Sequence, residues 1–489
     1  MTQIAQAKTP ILTPDQQTVF NTITSLIDER LANLLQSYNI QDYMISLTGA
    51  AGTGKTFLTV QIIKHLIEKY SDTEHGGSFQ QNFVVAAPTH KAVSVIAQML
   101  QQQAIQASCK TIHSFLGIKP FIDYDKGTET FKVDKSKKVK EQTTILIVDE
   151  SSMIGEELLE YIQEAIEDGR VKVVLFIGDP YQLLPISKGD NLIYSLPQSY
   201  ALKEVVRQAK DSYIIQLATE LRKRIQSKSY IPLAELFYQH ASDDMTFFYD
   251  EKEFIADFYK NEKWHEEDKI IATHKNKDVD GFNRLIRAKY WEQKGVNNPQ
   301  TLLPGDQLRF NSAYSANDIT LYHNEQIVEI QSAELKYHDA LQIHYWECKS
   351  YGPTFRVVDP MSLNAFNTKL SSIAKRAKYA KYPERRDLWK AFYQAKNMFA
   401  DVQYIHASTI HKLQGSTYDV SYVDLFSLCS NNYSSDDEKY RLAYVAITRA
   451  REDIKIFLPE PHRTNVNMTD MDMEQNFSQI DALLKSLKI

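Results

Sequence analysis

The chain has 489 residues, 43% hydrophobic and 24% charged, which is the composition of a soluble globular protein. Its length suggests about three domains. The formal charge of −6 neither supports nor excludes a polyanionic partner, since phosphate binding needs only a local basic channel. No apolar run approaches the roughly 20 residues of a membrane span. Residues 1–17 lack the apolar stretch of a secretory signal. Cys109, Cys348 and Cys429 lie too far apart for a disulfide framework or a Cys-based zinc site, so a reducing, cytoplasmic setting is expected.

Along the chain, short apolar runs recur at Met44–Thr48, Phe83–Ala87, Thr144–Val148 and Val171–Ile177. Helical patterns such as Phe57–Ile67 lie between them. Strands without polar alternation, interleaved with helices, predict an α/β fold with a parallel sheet covered on both faces. From Gly117 to Glu141 the pattern changes. Phe121–Tyr124 and Thr128–Phe131 read as the arms of a β-hairpin with Gly127 in its turn, and the basic stretch Lys132–Lys140 follows.

A second α/β half begins near Leu202, with a strand at Lys269–Thr273. Alternation at Gln326–Ile330 and Leu341–Tyr345 predicts a small β module within residues 301–400. A basic helical stretch runs from Lys375 to Phe399, with Leu388, Phe392, Ala395 and Phe399 spaced as its packing face. Strand and helix signals resume at Val420–Leu425 and Ile454–Leu458. The division expected is 1–200 for the first domain, 201–300 with 401–489 for the second, and 301–400 inserted. The tail 459–489 carries a short helix candidate, Met473–Leu487, and suggests no role.

The chemistry starts where the strand Met44–Thr48 runs into Gly49, Ala50, Ala51, Gly52, Thr53, Gly54, Lys55 and Thr56. This is a P-loop. Its glycines let backbone N–H groups cradle phosphate, Lys55 reaches the β- and γ-phosphates, and the Thr56 hydroxyl ligates Mg²⁺. Thr144–Val148 then delivers Asp149 and Glu150 to a sheet edge, Asp149 for the Mg²⁺ shell and Glu150 to deprotonate the attacking water. ATP with Mg²⁺ is therefore the expected cofactor pair. Gln16 precedes the first strand, where an amide can read adenine; an exposed helix residue is the plainer reading. Gln182, in Gly178-Asp-Pro-Tyr-Gln182, can sense the γ-phosphate, or simply belong to a turn built on Asp-Pro.

These segments, with Ala87-Pro-Thr-His-Lys-Ala92, Thr111-Ile-His-Ser114, Val206-Arg207-Gln208, Ala407 to Gly415 and Tyr444 to Arg449, stand in the order of superfamily-one helicase motifs. The series resembles the RecD/Dda branch and spans about Leu12 to Leu458. Each motif alone is moderately specific; nine in one order are far more so. The resemblance implies two RecA-like P-loop motor domains, a wedge hairpin (117–141) in the first, and a β-barrel with a helical extension inserted in the second. It implies 5′→3′ translocation on single-stranded DNA, unwinding of forked duplex, and coupling of hydrolysis to closure of the two motor domains.

The resemblance also implies residue roles. Arg207 and Arg449 would carry charge to the γ-phosphate; without the family, either reads as a salt-bridged structural residue. Pro88, His90, Lys91, Thr111, His113, His274, Lys275, Asn276, Thr409, His411 and Lys412 would line the DNA track. Phe131 would be the strand-separating wedge, or alternatively an anchor for its own hairpin. A single-strand-binding protein or replication and recombination proteins are the further partners implied, with a monomeric enzyme in a bacterial or phage-infected cell and no membrane contact. Two departures stand out: Tyr213 replaces a common Pro, and Asn324-Glu325 a common Asn-Gly turn. An RNA helicase, or a DNA-binding ATPase switch that does not unwind, remains open from the residues alone.

Overall fold

The computed structural model describes residues 12–32, 39–71, 83–133, 143–185, 192–205, 212–241, 245–316 and 319–458. Arg207, most of the Lys132–Lys140 stretch and the tail from 459 lie outside the described residues. The chain divides into two compact units, Met1–Lys119 with Val133–Ser212, and Pro120–Lys132 with Tyr213–Ile489.

Among the described residues, eight strands occur before residue 203: β1 (Met44–Gly49), β2 (Phe83–Ala87), β3 (Ser108–Thr111), β4 (Ile118–Asp123), β5 (Thr128–Val133), β6 (Thr143–Val148), β7 (Val171–Gly178) and β8 (Ser199–Leu202). Six of them form one parallel sheet in the order β3-β2-β6-β7-β1-β8. The continuous apolar runs have a direct cause. Successive side chains point to opposite faces, and both faces are covered. Val85, Ile145, Ile147 and Leu175 enter one core with Leu58, Ile62 and Leu66 of the helix Lys55–Ser71. Val84, Leu146, Val148 and Val174 enter the other with Leu159 and Ile162 of the helix Glu156–Glu167. Each such fully buried side chain contributes about 1.5–3 kcal/mol.

In the second unit, β9 (Thr246–Phe248) and β10 (Lys269–Thr273) precede eight short strands: β11 (Gln307–Phe310), β12 (Tyr314–Ala316), β13 (Ile319–Tyr322), β14 (Ile327–Glu329), β15 (Ser332–His338), β16 (Ile343–Lys349), β17 (Phe355–Val358) and β18 (Val402–Tyr404). After them come β19 (Ala407–Thr409), β20 (Tyr418–Asp424) and β21 (Ala450–Phe457). A five-stranded parallel sheet, β19-β10-β20-β21-β9, is the second α/β layer, packed on Ile271, Phe282, Ile286 and Tyr422. The short strands make antiparallel sheets β14-β11-β18, β12-β13 and β15-β16-β17 around Leu308, Phe310, Tyr322, Trp346 and Phe355. The Asn324-Glu325 turn keeps the left-handed backbone that glycine would favour. Glu325 takes φ 63° and its carboxylate lies 3.7 Å from the buried Arg309 guanidinium.

The basic stretch resolves into two helices, Leu363–Tyr379 and Glu384–Asn397. Their contact centres on Ala377, Trp389 and Tyr393, while Leu388 and Phe392 are only partly buried. Of the expected face, Ala395 is buried, and Leu388 and Phe392 pack against the edge of this cluster. Phe399 lies beyond the second helix and packs on Phe366 instead.

β4 and β5 pair as a separate two-stranded ribbon. Asp123 Oδ1 accepts from the Asp125 and Lys126 amides at 3.0 and 3.1 Å, and the Gly127 amide returns to the Asp123 carbonyl at 2.7 Å. In sequence the ribbon interrupts the first unit, but it packs with the second. Ile122 and Tyr124 join the Ala377–Trp389–Tyr393 cluster, and Lys396 pairs with Glu129 at 3.3 Å.

Candidate functional site

In the first unit, strand register brings the P-loop and acidic segments to one edge. Thr48 pairs with Gly178 across β1–β7, and Val148 with Phe176 across β6–β7. The chain therefore leaves all three strands together, at the carboxyl edge where open α/β sheets bind ligands.

Within the loop, Gly52 and Gly54 take φ 84° and 78°, conformations that let consecutive amides face inward. Lys55 Nζ donates to the Gly49 and Ala50 carbonyls at 2.7 and 2.9 Å, so its ammonium is held over the loop. Thr53 is fully buried and donates to the Ala50 carbonyl. Thr56 is the second residue of the helix Lys55–Ser71, at its positive end.

Gln16 is 1% exposed, not a surface residue of its helix. Its Oε1 accepts from the Thr13 amide at 3.1 Å, completing a capping box, and its Nε2 donates to the Thr53 carbonyl at 3.1 Å. The residue thus clips the first helix onto the P-loop.

Asp149 Oδ1 accepts from the Glu150 amide at 2.9 Å. Burial pushes its carboxyl upward in pKa, opposed by that amide and by the Lys55 cation. Glu150 takes φ 51°, a left-handed backbone that is uncommon for a non-glycine residue and is often kept at functional positions. Gln182 is buried, and the turn before it is an Asx turn in which Asp179 Oδ1 accepts from the Tyr181 amide at 3.0 Å. Among the described residues, no group of three His, Cys, Asp or Glu is placed to hold a metal. A hydroxyl and one carboxylate, Thr56 and Asp149, suit Mg²⁺, which takes most of its ligands from water and substrate phosphates.

The next strands along the sheet, β2 and β3, carry the segments expected to meet nucleic acid. Ala87 pairs with Thr111, which places Pro88, His90 and Lys91 beside Thr111 and His113. Thr89 and Thr111 cap the helices that follow, accepting from the Ala92 and Ser114 amides at 3.2 Å. Burial lowers the His113 pKa. The Asp149 amide donates to the Ala86 carbonyl at 2.9 Å, so one hydrogen bond links the acidic pair to the base of this second group.

The second unit shows the same economy. Thr273 pairs with Thr409 across β10–β19, which puts His274, Lys275 and Asn276 beside His411 and Lys412. The two imidazoles lie 6.1 Å apart, and His274 Nε2 meets Asn431 Nδ2 at 2.7 Å. Burial lowers the pKa of both histidines, so they act as neutral hydrogen-bonding groups at neutral pH. Lys412 donates to Asn311 Oδ1 at 2.7 Å.

Arg449 is 4% exposed. Its guanidinium donates to the Val445 and Ser416 carbonyls and to the Thr448 hydroxyl at 3.0–3.2 Å. On the ribbon, Phe131 is 55% exposed and Phe121 46%, with Lys132 Nζ 4.2 Å above the Phe121 ring. The ribbon is anchored through Ile122, Tyr124 and Gly127.

One group escaped sequence reasoning. Asp278 and Asp424 are buried at the edge of the second sheet, and Glu251 lies close enough to both to interact electrostatically. Thr273 Oγ1 donates to Asp424 Oδ2 at 2.7 Å and Ser427 Oγ to Asp278 Oδ2 at 2.5 Å. The three acids come from separate elements, so no spacing could have signalled them.

Residues 30–232 match the family model described as an AAA domain, and residues 404–454 that of a UvrD-like helicase C-terminal domain. The ATP-dependent DNA helicase Dda of Enterobacteria phage T4 is 26% identical over 91% of this chain and 98% of its own length. Uncharacterized protein R530 of Acanthamoeba polyphaga mimivirus is 24% identical over 89% and 99%. The crystal structure of Pif1 helicase from Candida albicans covers 96% of this chain and 100% of its own, at 17% identity and a TM-score of 0.48. On its ordered motifs and its sequence relatives, the chain belongs to the superfamily-one helicases of the Dda, Pif1 and RecD kind.

Proposed function

We propose that the protein couples ATP hydrolysis to 5′→3′ movement along single-stranded DNA and opens forked duplex as it moves. The observation that carries this reading is the order of strand ends in the first sheet. Phosphate-cradling and acidic segments leave β1, β7 and β6, the polar segments leave β2 and β3, and the acidic pair stands between the two groups.

In this reading the two halves are RecA-like motor domains, and the inserted strands form a β-barrel. Lys55 exchanges the Gly49 and Ala50 carbonyls for β- and γ-phosphate oxygens. Thr56 and Asp149 would hold Mg²⁺, which when bound neutralises charge on those phosphates. Glu150 takes the proton from the attacking water, and Gln182 reports the γ-phosphate. Arg449 and Arg207 bring positive charge to the γ-phosphate as the motor closes, stabilising the transition state and tying hydrolysis to motion. The histidine, threonine and lysine segments of both sheets grip phosphates without reading bases. Phe131 is presented as a ring against which the last base pair parts.

The test is unwinding of forks carrying a 5′ or a 3′ single-stranded tail. ATP-dependent opening of the 5′-tailed DNA fork is expected, with Lys55→Ala folded but inactive. Opening only from a 3′ tail, activity only on RNA, or DNA-stimulated hydrolysis without strand separation would each overturn it.

A further inference from the structure

We infer that the tip of the paired helices Leu363–Tyr379 and Glu384–Asn397 is a binding surface for the sugar–phosphate backbone of double-stranded DNA. Between Lys375 and Arg386 stand six cations, Lys375, Arg376, Lys378, Lys381, Arg385 and Arg386, against one acid, Glu384. The chain as a whole carries −6, so this concentration is local and opposite in sign.

Five of these six side chains are exposed, and Arg385 is half-buried. Ala377 is buried against Trp389 and Tyr393, which turns the opposite face of its helix to solvent. Ser372, Lys375, Arg376 and Tyr379 lie on that face and, with Ala380 and Glu384, line an open cleft of about 450 Å³. Arg376 and Glu384 approach only to 4.0 Å with both side chains 66% exposed, too loose and wet to neutralise the patch. Tyr379 and Tyr382, 82% and 66% exposed, add hydroxyl donors of the kind that meet phosphate oxygens.

Placement favours duplex over single strand. The same two helices hold the β4–β5 turn, through Trp389, Tyr393 and the Lys396–Glu129 pair. Resting on the proposed strand-separating role of that ribbon, DNA arriving here is still paired. A duplex presents phosphates from two strands at one charge per ~1.7 Å of axis, which suits a broad set of exposed cations. The surface would hold the unopened duplex against the ribbon.

The experiment compares the full chain with K375A/K378A/K381A/R386A, using a 5′-tailed fork and the tail oligonucleotide alone. The variant is expected to lose the parent's extra affinity for the fork. Its log affinity should also depend less steeply on log salt, by about 0.9 for each phosphate contact removed. Affinity for the tail and single-strand-stimulated ATPase should stay at the parent level. K375R/K378R/K381R keeps the charge and should bind the fork as the parent does. Parent-like fork affinity in the alanine variant, equal loss on fork and tail, or loss in the arginine variant would each overturn the assignment. So would competition at this surface by poly-glutamate but not by blunt duplex, which would give the patch to an acidic protein. If the parent binds the fork but does not open it, the helicase reading fails while the binding comparison still stands.

Discussion

The Tyr393 hydroxyl donates to the Gly127 carbonyl at 3.1 Å, joining residues 266 apart in sequence. Gly127 takes φ 70°, and a Cβ added there would fall within the Trp389 indole. Gly127→Ala is therefore expected to push the turn off its support, with about 1–2 kcal/mol lost to the left-handed backbone alone. Tyr393→Phe removes one neutral hydrogen bond, about 0.5–1.5 kcal/mol. Single-turnover unwinding should fall in Gly127→Ala and fall less in Tyr393→Phe, with single-strand-stimulated ATPase kept in both. Parent-level unwinding in Gly127→Ala would show that the anchor does not serve strand separation.

Phe131 separates moving from opening. Base–aromatic stacking is worth about 1–3 kcal/mol, comparable to the mean of about 1.4 kcal/mol for one DNA base-pair step. Phe131→Ala should keep ATPase and translocation yet lose most unwinding, at little cost in stability because the ring is 55% exposed. Equal loss of all three activities would return the residue to a structural role.

Glu150→Gln keeps side-chain shape, and glutamine meets the same left-handed backbone as glutamate, so folding should be unaffected. Loss of the base should slow hydrolysis by about 10²–10⁴-fold. Nucleotide titration is expected to show ATP bound and persisting. Hydrolysis at the parent rate would move the base elsewhere.

Burial, then repulsion from Asp278, pushes the Asp424 carboxyl up to about 7, and Glu251 is likewise raised to about 7 by burial and by Asp424. Lys275 opposes the Asp424 shift. An acid that binds its proton more tightly when folded stabilises the fold toward low pH. Its contribution is lost as pH rises from the ordinary carboxylate range to about 7, at up to about 1.4 kcal/mol per pH unit for each group. Asp424→Asn should thus gain stability relative to the parent across that window and level off above it. Urea melts at several pH values read the difference directly. A difference independent of pH would mean that Asp424 is charged in the fold throughout.

How legible all this was depended on the range of the interaction. The strand β1 and its P-loop could be read because burial on both faces leaves a short run without charged residues, and the loop's chemistry occupies consecutive positions. The shared edge of Ala87 and Thr111 follows from parallel pairing, though only the structure supplies the register. Gln16 could be singled out but not its two-ended clip, since the Thr53 carbonyl lies 37 residues away. Helical spacing picked Leu388 and Phe392; the burial of Trp389 and Tyr393 depends on Ala377 and a ribbon hundreds of residues earlier. The Glu251–Asp278–Asp424 group was invisible for the same reason.

The span between Gly127 and Tyr393 has a temporal meaning. A ribosome adding about 5–20 residues per second takes tens of seconds to reach the ribbon's support after making the ribbon. For most of that interval the six-stranded sheet has all its strands, because β8 ends at Leu202. Ile122 and Tyr124 then have no Trp389 or Tyr393 to cover them. The nucleotide-binding sheet can thus be assembled well before the ribbon is seated, and chains cut short before Glu384 carry a ribbon whose Ile122 and Tyr124 lack their cover.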